Sequence, residues 1–179
     1  LLNAKGYLGG TLTKPYFKGD VISDEIFING EKISEIQGTL KSNLKEQNLF
    51  NIAFKQPYKD DVNNYGIYSA DINIDLTEHF LQGNVSMLWG DVGGLLRMAR
   101  QDYDISGLMQ GELNFNPNGK GSGAYITIDA DNVKIHERNY AHMNFKGCMK
   151  NGIISFDDVK LQEEKDIVDK GIIAVQGTI

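Results

Sequence analysis

Apolar and polar residues alternate along most of this chain with a period of two. From Ala124 to Ala130, alanine and isoleucine occupy every second position, whereas Tyr125, Thr127 and Asp129 occupy the positions between them. Successive side chains of an extended strand point to opposite faces, so one face of this strand is apolar and the other is polar. Similar runs recur between glycines along the chain, and they predict an all-β protein of about a dozen strands.

One segment departs from this rhythm, the stretch "GDVGGLLRMARQDYDISG". It has apolar residues at helical spacing, with Arg97 and Arg100 on the opposite side. We predict a short amphipathic helix at residues 92–102. Such a helix usually covers one end of a core, and the alternative is a lid or a membrane-touching element with basic anchors. Trp89 ends the run before it, either packed at a strand end or as a membrane-interface anchor. The apolar positions of the predicted helix are Leu95, Leu96, Met98 and Ala99.

The two halves of the chain resemble each other weakly. The blocks "EIQGTLKSN", "FNIAF" and "NYGIYSADINI" are answered in the same order by "NFKGCMKNG", "IISFDDVKL" and "DKGIIAVQGTI". The offset is about 105 to 109 residues, as expected of a modular array. It pairs Gly38 with Gly147 and Gly66 with Gly171. We therefore expect two repeat units, at residues 1–110 and 111–179.

Composition and charge narrow the classes of partner. The formal net charge of -6 and the pI near 5.0 argue against a nucleic-acid partner, which requires clustered Lys and Arg. Cys148 is the only cysteine, so the chain can form neither an internal disulfide nor a cysteine-based zinc cluster. No apolar run approaches the roughly 18 residues of a membrane span. Because the chain starts on Leu1 and stops at "VQGTI" in mid-pattern, we expect a piece of a longer protein.

Candidate catalytic and metal-binding motifs are weak. The glycine run "GKGSG" is followed by a predicted strand rather than a helix, so it favours a hairpin loop over a phosphate-binding loop. His79, His136 and His142 lack a metal-ligand spacing, and we expect them to be solvent-exposed, with the latter two on the polar face of neighbouring strands. No serine lies in a nucleophile-elbow motif. We expect no enzymatic activity, no cofactor and no metal site.

Acidic clusters are interpreted mainly as solvated turns, since none has the order of a calcium-binding loop. The pair Asp157 and Asp158 separates the apolar positions Ile154 and Phe156 from Val159 and Leu161, and the period of two breaks between them. A β-bulge at this acidic pair would restore the alternation. The other acidic clusters comprise Asp60, Asp61, Glu163, Glu164 and Asp166.

Three stretches resemble the TamB and AsmA-like family of bacterial envelope proteins. They are "GGTLTKPYFKGD" with its glycine and proline punctuation, "IFINGEKISEIQGTL" with paired strands around a tight turn, and "DISGLMQGELNFNPNG" after the short helix. The resemblance covers nearly the whole chain and consists of glycines and alternation rather than a catalytic signature. It implies the β-taco fold, an elongated antiparallel-type sheet built from repeats and curled until its concave face is a hydrophobic groove.

The resemblance also implies a location and a role. Family members are anchored in the inner membrane and cross the periplasm. With an outer-membrane partner of the Omp85 type in the TamB case, they are implicated in phospholipid movement or outer-membrane assembly. This chain would then be a non-enzymatic segment of such a groove.

An open groove explains an unpaired apolar face, whereas in a β-sandwich two such faces bury each other. Phospholipid acyl chains would gain about 0.8 kcal/mol for each CH₂ removed from water. The alternative is a structural or interaction scaffold, adhesin-like or for assembly, with a closed core and client strands at its free edges. The predicted groove-lining residues are Ile52, Phe54, Ile72, Ile74, Val85, Met87, Ile126, Ile128, Ile135, Met143, Phe145, Ile154 and Phe156.

Overall fold

The described part of the chain forms a single antiparallel sheet with one short helix. The computed structural model describes residues 2–11, 13–43, 46–58, 64–101, 103–116, 123–150, 153–163, 172–174 and 177–178. The elements are β1 (Leu2–Gly10), β2 (Pro15–Ile28), β3 (Glu31–Asn43), β4 (Gln47–Pro57), β5 (Tyr65–Asp75), β6 (Phe80–Asp91), α1 (Val92–Met98), β7 (Ile105–Phe115), β8 (Ala124–Ile135), β9 (Arg138–Lys150), β10 (Ile153–Glu163), β11 (Ile172–Ala174) and β12 (Gly177–Thr178). The predicted all-β class is confirmed.

The strands follow one another through the sheet in chain order from β1 to β11, and β12 also pairs with β10. Every pairing is antiparallel, and the sheet does not close, since β1 pairs only with β2 among the described residues. The predicted unit boundary at residue 110 falls inside β7, which pairs with both β6 and β8. The hydrogen-bonded sheet is therefore continuous across it.

Tight turns join several of the strands. Asn29 and Gly30 connect β2 to β3 with φ angles of 51° and 86°, which is the backbone of a type I′ hairpin turn. Phe115 pairs with Ala124, so the segment containing "GKGSG" joins two adjacent antiparallel strands, and the hairpin prediction is confirmed. Residues 117–122 of that loop lie outside the described part of the chain.

The sheet has one apolar and one polar face, because cross-strand partners point to the same side. We call one side of the sheet the apolar face; it carries a continuous row of cross-strand partners formed by Ile52, Ala70, Val85, Leu113 and Ile126. We call the opposite side the polar face; it carries the row Thr39, Asn51, Asp71, Asn84, Asn114 and Tyr125.

The helix α1 lies against one end of the strands. The Asp91 side chain caps it by accepting a hydrogen bond of 3.0 Å from the Gly93 backbone N–H. The helix follows β6 yet contacts β3, three strands away. Three strand spacings make about 14 Å in a flat sheet, and a helix is only about 10 Å across. The sheet is therefore curled around the helix, as predicted.

The most buried apolar side chains lie toward this same end of the sheet. They occupy the start of β3, the start of β5 and the second half of β8, next to the ends that α1 covers. Elsewhere the apolar face lacks a second layer among the described residues, and its side chains keep partial exposure. The buried apolar residues are Ile33, Ile36, Tyr68, Ala130 and Val133.

Two local predictions need correction and one is confirmed. The helix ends at Met98 rather than at residue 102, and its buried residues are Gly93 and Gly94 rather than the predicted apolar side chains. Trp89 has a φ of 55° at a register shift between β6 and β7, so it leaves the alternation of its strand and is 41% exposed. The predicted β-bulge is present, because the register of β10 shifts between Phe156 and Asp158.

Candidate functional site

The apolar face of the curled sheet is the most extended feature formed by the predicted site residues. Strand register brings ten of them onto this one face, in rows that cross the sheet. In one row Phe54, Met87, Ile128 and Phe145 are joined through the partners Tyr68 and Gly111. The ten residues are Ile52, Phe54, Ile72, Ile74, Val85, Met87, Ile126, Ile128, Met143 and Phe145.

Three predicted residues are not placed in this set. Near Asn132, which has a φ of 52°, the register of β8 shifts against β7 but not against β9. The two neighbouring strands therefore do not agree on the face of Ile135, and strand pairing does not assign it to the apolar face. The β10 backbone places Ile154 opposite Met149 and Phe156 opposite Gly147. The side chains of Ile154 and Phe156 lie outside the described residues.

The apolar face is partly open to solvent. Val85 is 37% exposed and Ile74 is 39% exposed, although both lie in the interior strands of the sheet. The other eight of the ten residues are of intermediate burial, so none of the ten belongs to the buried core. Side chains packed between two sheets would be far more buried than this.

Several further residues lie on this face that were not among the predicted lining residues. They come from the same alternating runs or from strands with many polar and glycine positions, where the pattern is less regular. Register, rather than periodicity alone, assigns them, because each is the cross-strand partner of a residue already on the face. The additional residues are Leu40, Phe50, Ala70, Leu113, Phe115 and Met149.

A small cavity deepens the apolar face between β7, β8 and β9. Its volume is about 200 Å³, and its lining includes Leu113, Ile126, Phe145 and Met149. Gly147 forms part of the wall, and a Cβ at this position would lie 3.0 Å from the Ser155 carbonyl oxygen.

Polar side chains close the end of the apolar face beneath α1. The Tyr68 hydroxyl donates a hydrogen bond of 2.6 Å to Gln56 Oε1, and Gln56 is 1% exposed. Burial raises the pKa of the Tyr68 phenol above its ordinary value. Arg97 on the helix pairs with Glu31 at the start of β3 and with Asp91. These contacts attach α1 to strands on both sides of it.

The polar face carries hydrogen-bonded side chains along its rows. Asn144 donates a bond of 2.6 Å to Asp129, and Ser69 bonds Ser86 at 2.7 Å across β5 and β6. Three shallow depressions on this face have volumes of about 580, 600 and 470 Å³. The sequence does not predict these depressions, because a period of two shows which face is polar but not how the sheet bends.

The histidines are not gathered into one site. His79 and His136 are exposed, as predicted, but His136 lies in the turn between β8 and β9 rather than on a strand. His142 on β9 is half-exposed, with Nδ1 at 2.8 Å from Asp131 and Nε2 at 3.5 Å from Asp129. No group of three His, Cys, Asp or Glu side chains within the described ranges is arranged to hold a metal ion.

Of the remaining sequence features, the loop acids Asp60, Asp61, Glu164 and Asp166 fall outside the described residues, as does the side chain of Glu163. No helix among the described residues is long and apolar enough to cross a membrane. No protein-family model matches the chain, and neither a curated protein nor a solved structure shows significant similarity to it.

Proposed function

We propose that this chain is a non-enzymatic segment of a periplasm-spanning protein whose apolar face guides phospholipid acyl chains between the inner and outer membranes, or supports outer-membrane assembly. The observation that carries the proposal is the partial exposure of a contiguous apolar face, represented by Val85 at 37%. Extended apolar surface on a folded protein typically marks a binding site. The curled sheet gives this surface the shape of a groove.

The dimensions of the face suit an acyl chain. From β3 to β9 the rows of apolar side chains cross six strand spacings, about 29 Å at 4.8 Å each. Twelve methylenes lying in such a groove would contribute about 10 kcal/mol before ordering costs, at 0.8 kcal/mol for each CH₂. The lining repeats Ile, Phe, Met and Val from strand to strand, so this contribution is spread evenly, and an even path allows sliding.

The cellular setting is part of the proposal and follows from the resemblance to the TamB and AsmA-like family. In that setting the full-length protein is anchored in the inner membrane and works with an Omp85-type partner in the outer membrane. The continuous sheet supports this assignment because β7 passes through the boundary between the two repeat units without a break. Neighbouring units would then share one groove.

A second proposal is a scaffold that binds client strands at a sheet edge. Its supporting observation is β1, which pairs only with β2 among the described residues and carries the exposed side chains of Tyr7 (61%) and Leu8 (70%). A strand edge can accept an extended partner through main-chain hydrogen bonds. This function would not require the exposed apolar face, so the two proposals separate experimentally.

The test of the groove uses two adjacent residues on opposite faces of β8. Ile128→Asp places a carboxylate on the apolar face, and Thr127→Asp places the same group on the polar face. Both variants and the unaltered chain are purified from bacteria without detergent, and bound lipid is measured by native mass spectrometry and extraction. We expect phospholipid on the unaltered chain and on Thr127→Asp, and its loss from Ile128→Asp, because acyl chains that cover a carboxylate remove it from water at a large cost in free energy.

Circular dichroism shows whether each variant keeps its sheet. A folded Ile128→Asp protein without lipid supports the groove. A chain that carries no lipid in any form, or an Ile128→Asp variant that unfolds while Thr127→Asp does not, would reject it in favour of the scaffold with a closed core.

A further inference from the structure

The three depressions on the polar face join into one band, which we call the polar trough. The first and second share Lys41 and Leu49, and the second and third share Asn84. The first reaches Tyr16 on β2, and the third reaches Thr127 on β8. The polar trough therefore crosses seven neighbouring strands, on the side of the sheet opposite the apolar face.

Side-chain amides and carboxylates line the polar trough, and hydrogen bonds across the strands hold them in place. Gln47 Nε2 donates a bond of 3.0 Å to Asn73 Oδ1, and Asn51 donates to Asp71. Asn84 Nδ2 donates to Glu112 and, at 2.8 Å, to Asn114 Oδ1. An amide has two donor and two acceptor positions, so these pairings leave hydrogen-bonding capacity for a ligand.

Such pairing lowers the entropic cost of binding, because the side chains are ordered before the ligand arrives. The row from Asn51 through Asp71 and Asn84 to Asn114 offers one polar group for each strand. The groups therefore repeat about every 4.8 Å, which is the strand spacing. An extended polymer with donors and acceptors at a similar repeat would match this row.

We propose that the polar trough binds a neutral oligosaccharide of linked pyranose sugars. Each sugar in an extended chain is about as long as one strand spacing, and its hydroxyl groups both donate and accept hydrogen bonds. Tyr16 and Leu49 at one end, and the exposed ring of Tyr125 next to Asn114 at the other, provide apolar surfaces for the C–H faces of sugars.

The charges of the polar trough exclude anionic polymers. Asp71, Glu112 and Asp129 line it, whereas its lysines are confined to one end, which also carries carboxylates. The residues at that end are Lys18, Lys41, Glu46 and Asp75. A phosphodiester chain would meet like charge along most of its length. A peptide strand would instead pair with the main chain at the edge of the sheet. The proposal does not depend on the groove, because the two faces point in opposite directions.

The experiment is a titration of the ¹⁵N-labelled chain with cellohexaose and, separately, chitohexaose, followed through the side-chain NH₂ signals of asparagine and glutamine. We expect at least one of the two sugars to shift the signals of Asn51, Asn84 and Asn114. Concentrations up to about 10 mM cover the millimolar affinities of weak sugar binding. If neither sugar shifts these signals, or if calcium ions shift them and the sugars do not, the proposal is overturned.

Variants locate the binding. Asn51→Ala and Asn84→Ala each remove a polar group of the row, and each should weaken binding about tenfold, the effect of losing one or two ligand hydrogen bonds. Asn139→Ala is the matched control, since Asn139 is an exposed strand asparagine on β9 outside the polar trough. The Ile128→Asp variant should bind the sugar as the unaltered chain does. Full affinity in both row variants would overturn the proposal.

Discussion

A single substitution made in two places distinguishes an open apolar face from a closed core. Val85 and Val133 are both strand valines, but Val85 on the apolar face is 37% exposed and Val133 near the covered end is 3% exposed. Changing each to aspartate makes the same chemical alteration in two environments. The difference between their free energies of unfolding measures how open the face is around Val85.

The expected magnitudes follow from these exposures. Full burial of a valine side chain stabilises a protein by about 1.5 kcal/mol. Val85 retains 37% of its exposure, so Val85→Asp should lose about 1 kcal/mol, since the new carboxylate can turn to water. Val133→Asp loses the full amount and also buries an unpaired carboxylate, which costs several kcal/mol more.

Urea unfolding followed by far-ultraviolet circular dichroism measures both effects. With a slope of about 2 kcal/mol per molar urea, Val85→Asp should lower the midpoint by about 0.5 M. Val133→Asp should lower it by more than about 2 M or leave no folded baseline, because several kcal/mol is a large part of a typical domain's stability. The lipid carried by folded Val85→Asp is then measured as for Ile128→Asp.

An open apolar face is refuted if Val85→Asp destabilises the chain as much as Val133→Asp does. That result would mean that the region around Val85 is packed as a core in solution, and the groove would have to be abandoned. The apolar face would then be covered, and the scaffold proposal would take its place.

Three further predictions concern the covered end. Gly66→Ala should lower the free energy of unfolding by about 2 kcal/mol, and the melting temperature by several degrees, because the added Cβ would lie 2.8 Å from the Gly90 backbone. A calorimetric scan unchanged from that of the parent would contradict this contact. Arg97→Ala should cost about 0.5 kcal/mol, a small value because the Arg97 and Glu31 side chains are 44% and 15% exposed, and should speed hydrogen exchange in α1 more than elsewhere. Because burial raises the pKa of Tyr68 in the folded state, the stability that this phenol contributes is present below its unfolded pKa near 10 and declines as pH rises above it. Urea midpoints at pH 9 and pH 11 compared with those of Tyr68→Phe measure that decline, and an equal decline in both proteins would assign it to other groups.

Much of the architecture follows from local sequence. The alternation from Ala124 to Ala130 and its counterparts along the chain determine which residues are extended and which share a face, because the side-chain period of a strand is two. Asn29 and Gly30 specify a hairpin because both take positive φ readily. The break in alternation at Asp157 and Asp158 indicates a bulge, because one extra residue in a strand reverses the faces of the residues that follow.

Other features depend on contacts between distant segments, which periodicity does not encode. Trp89 leaves the apolar alternation because the register of β6 against β7 shifts there, and α1 is buried through Gly93 and Gly94 because Gln56 and Asp91 approach it closely. The polar trough likewise depends on strand pairing, which sets residues of seven strands side by side. Local alternation assigns residues to the two faces, whereas the curl and the register decide which parts of each face are covered and which are open, because burial depends on what lies opposite a strand.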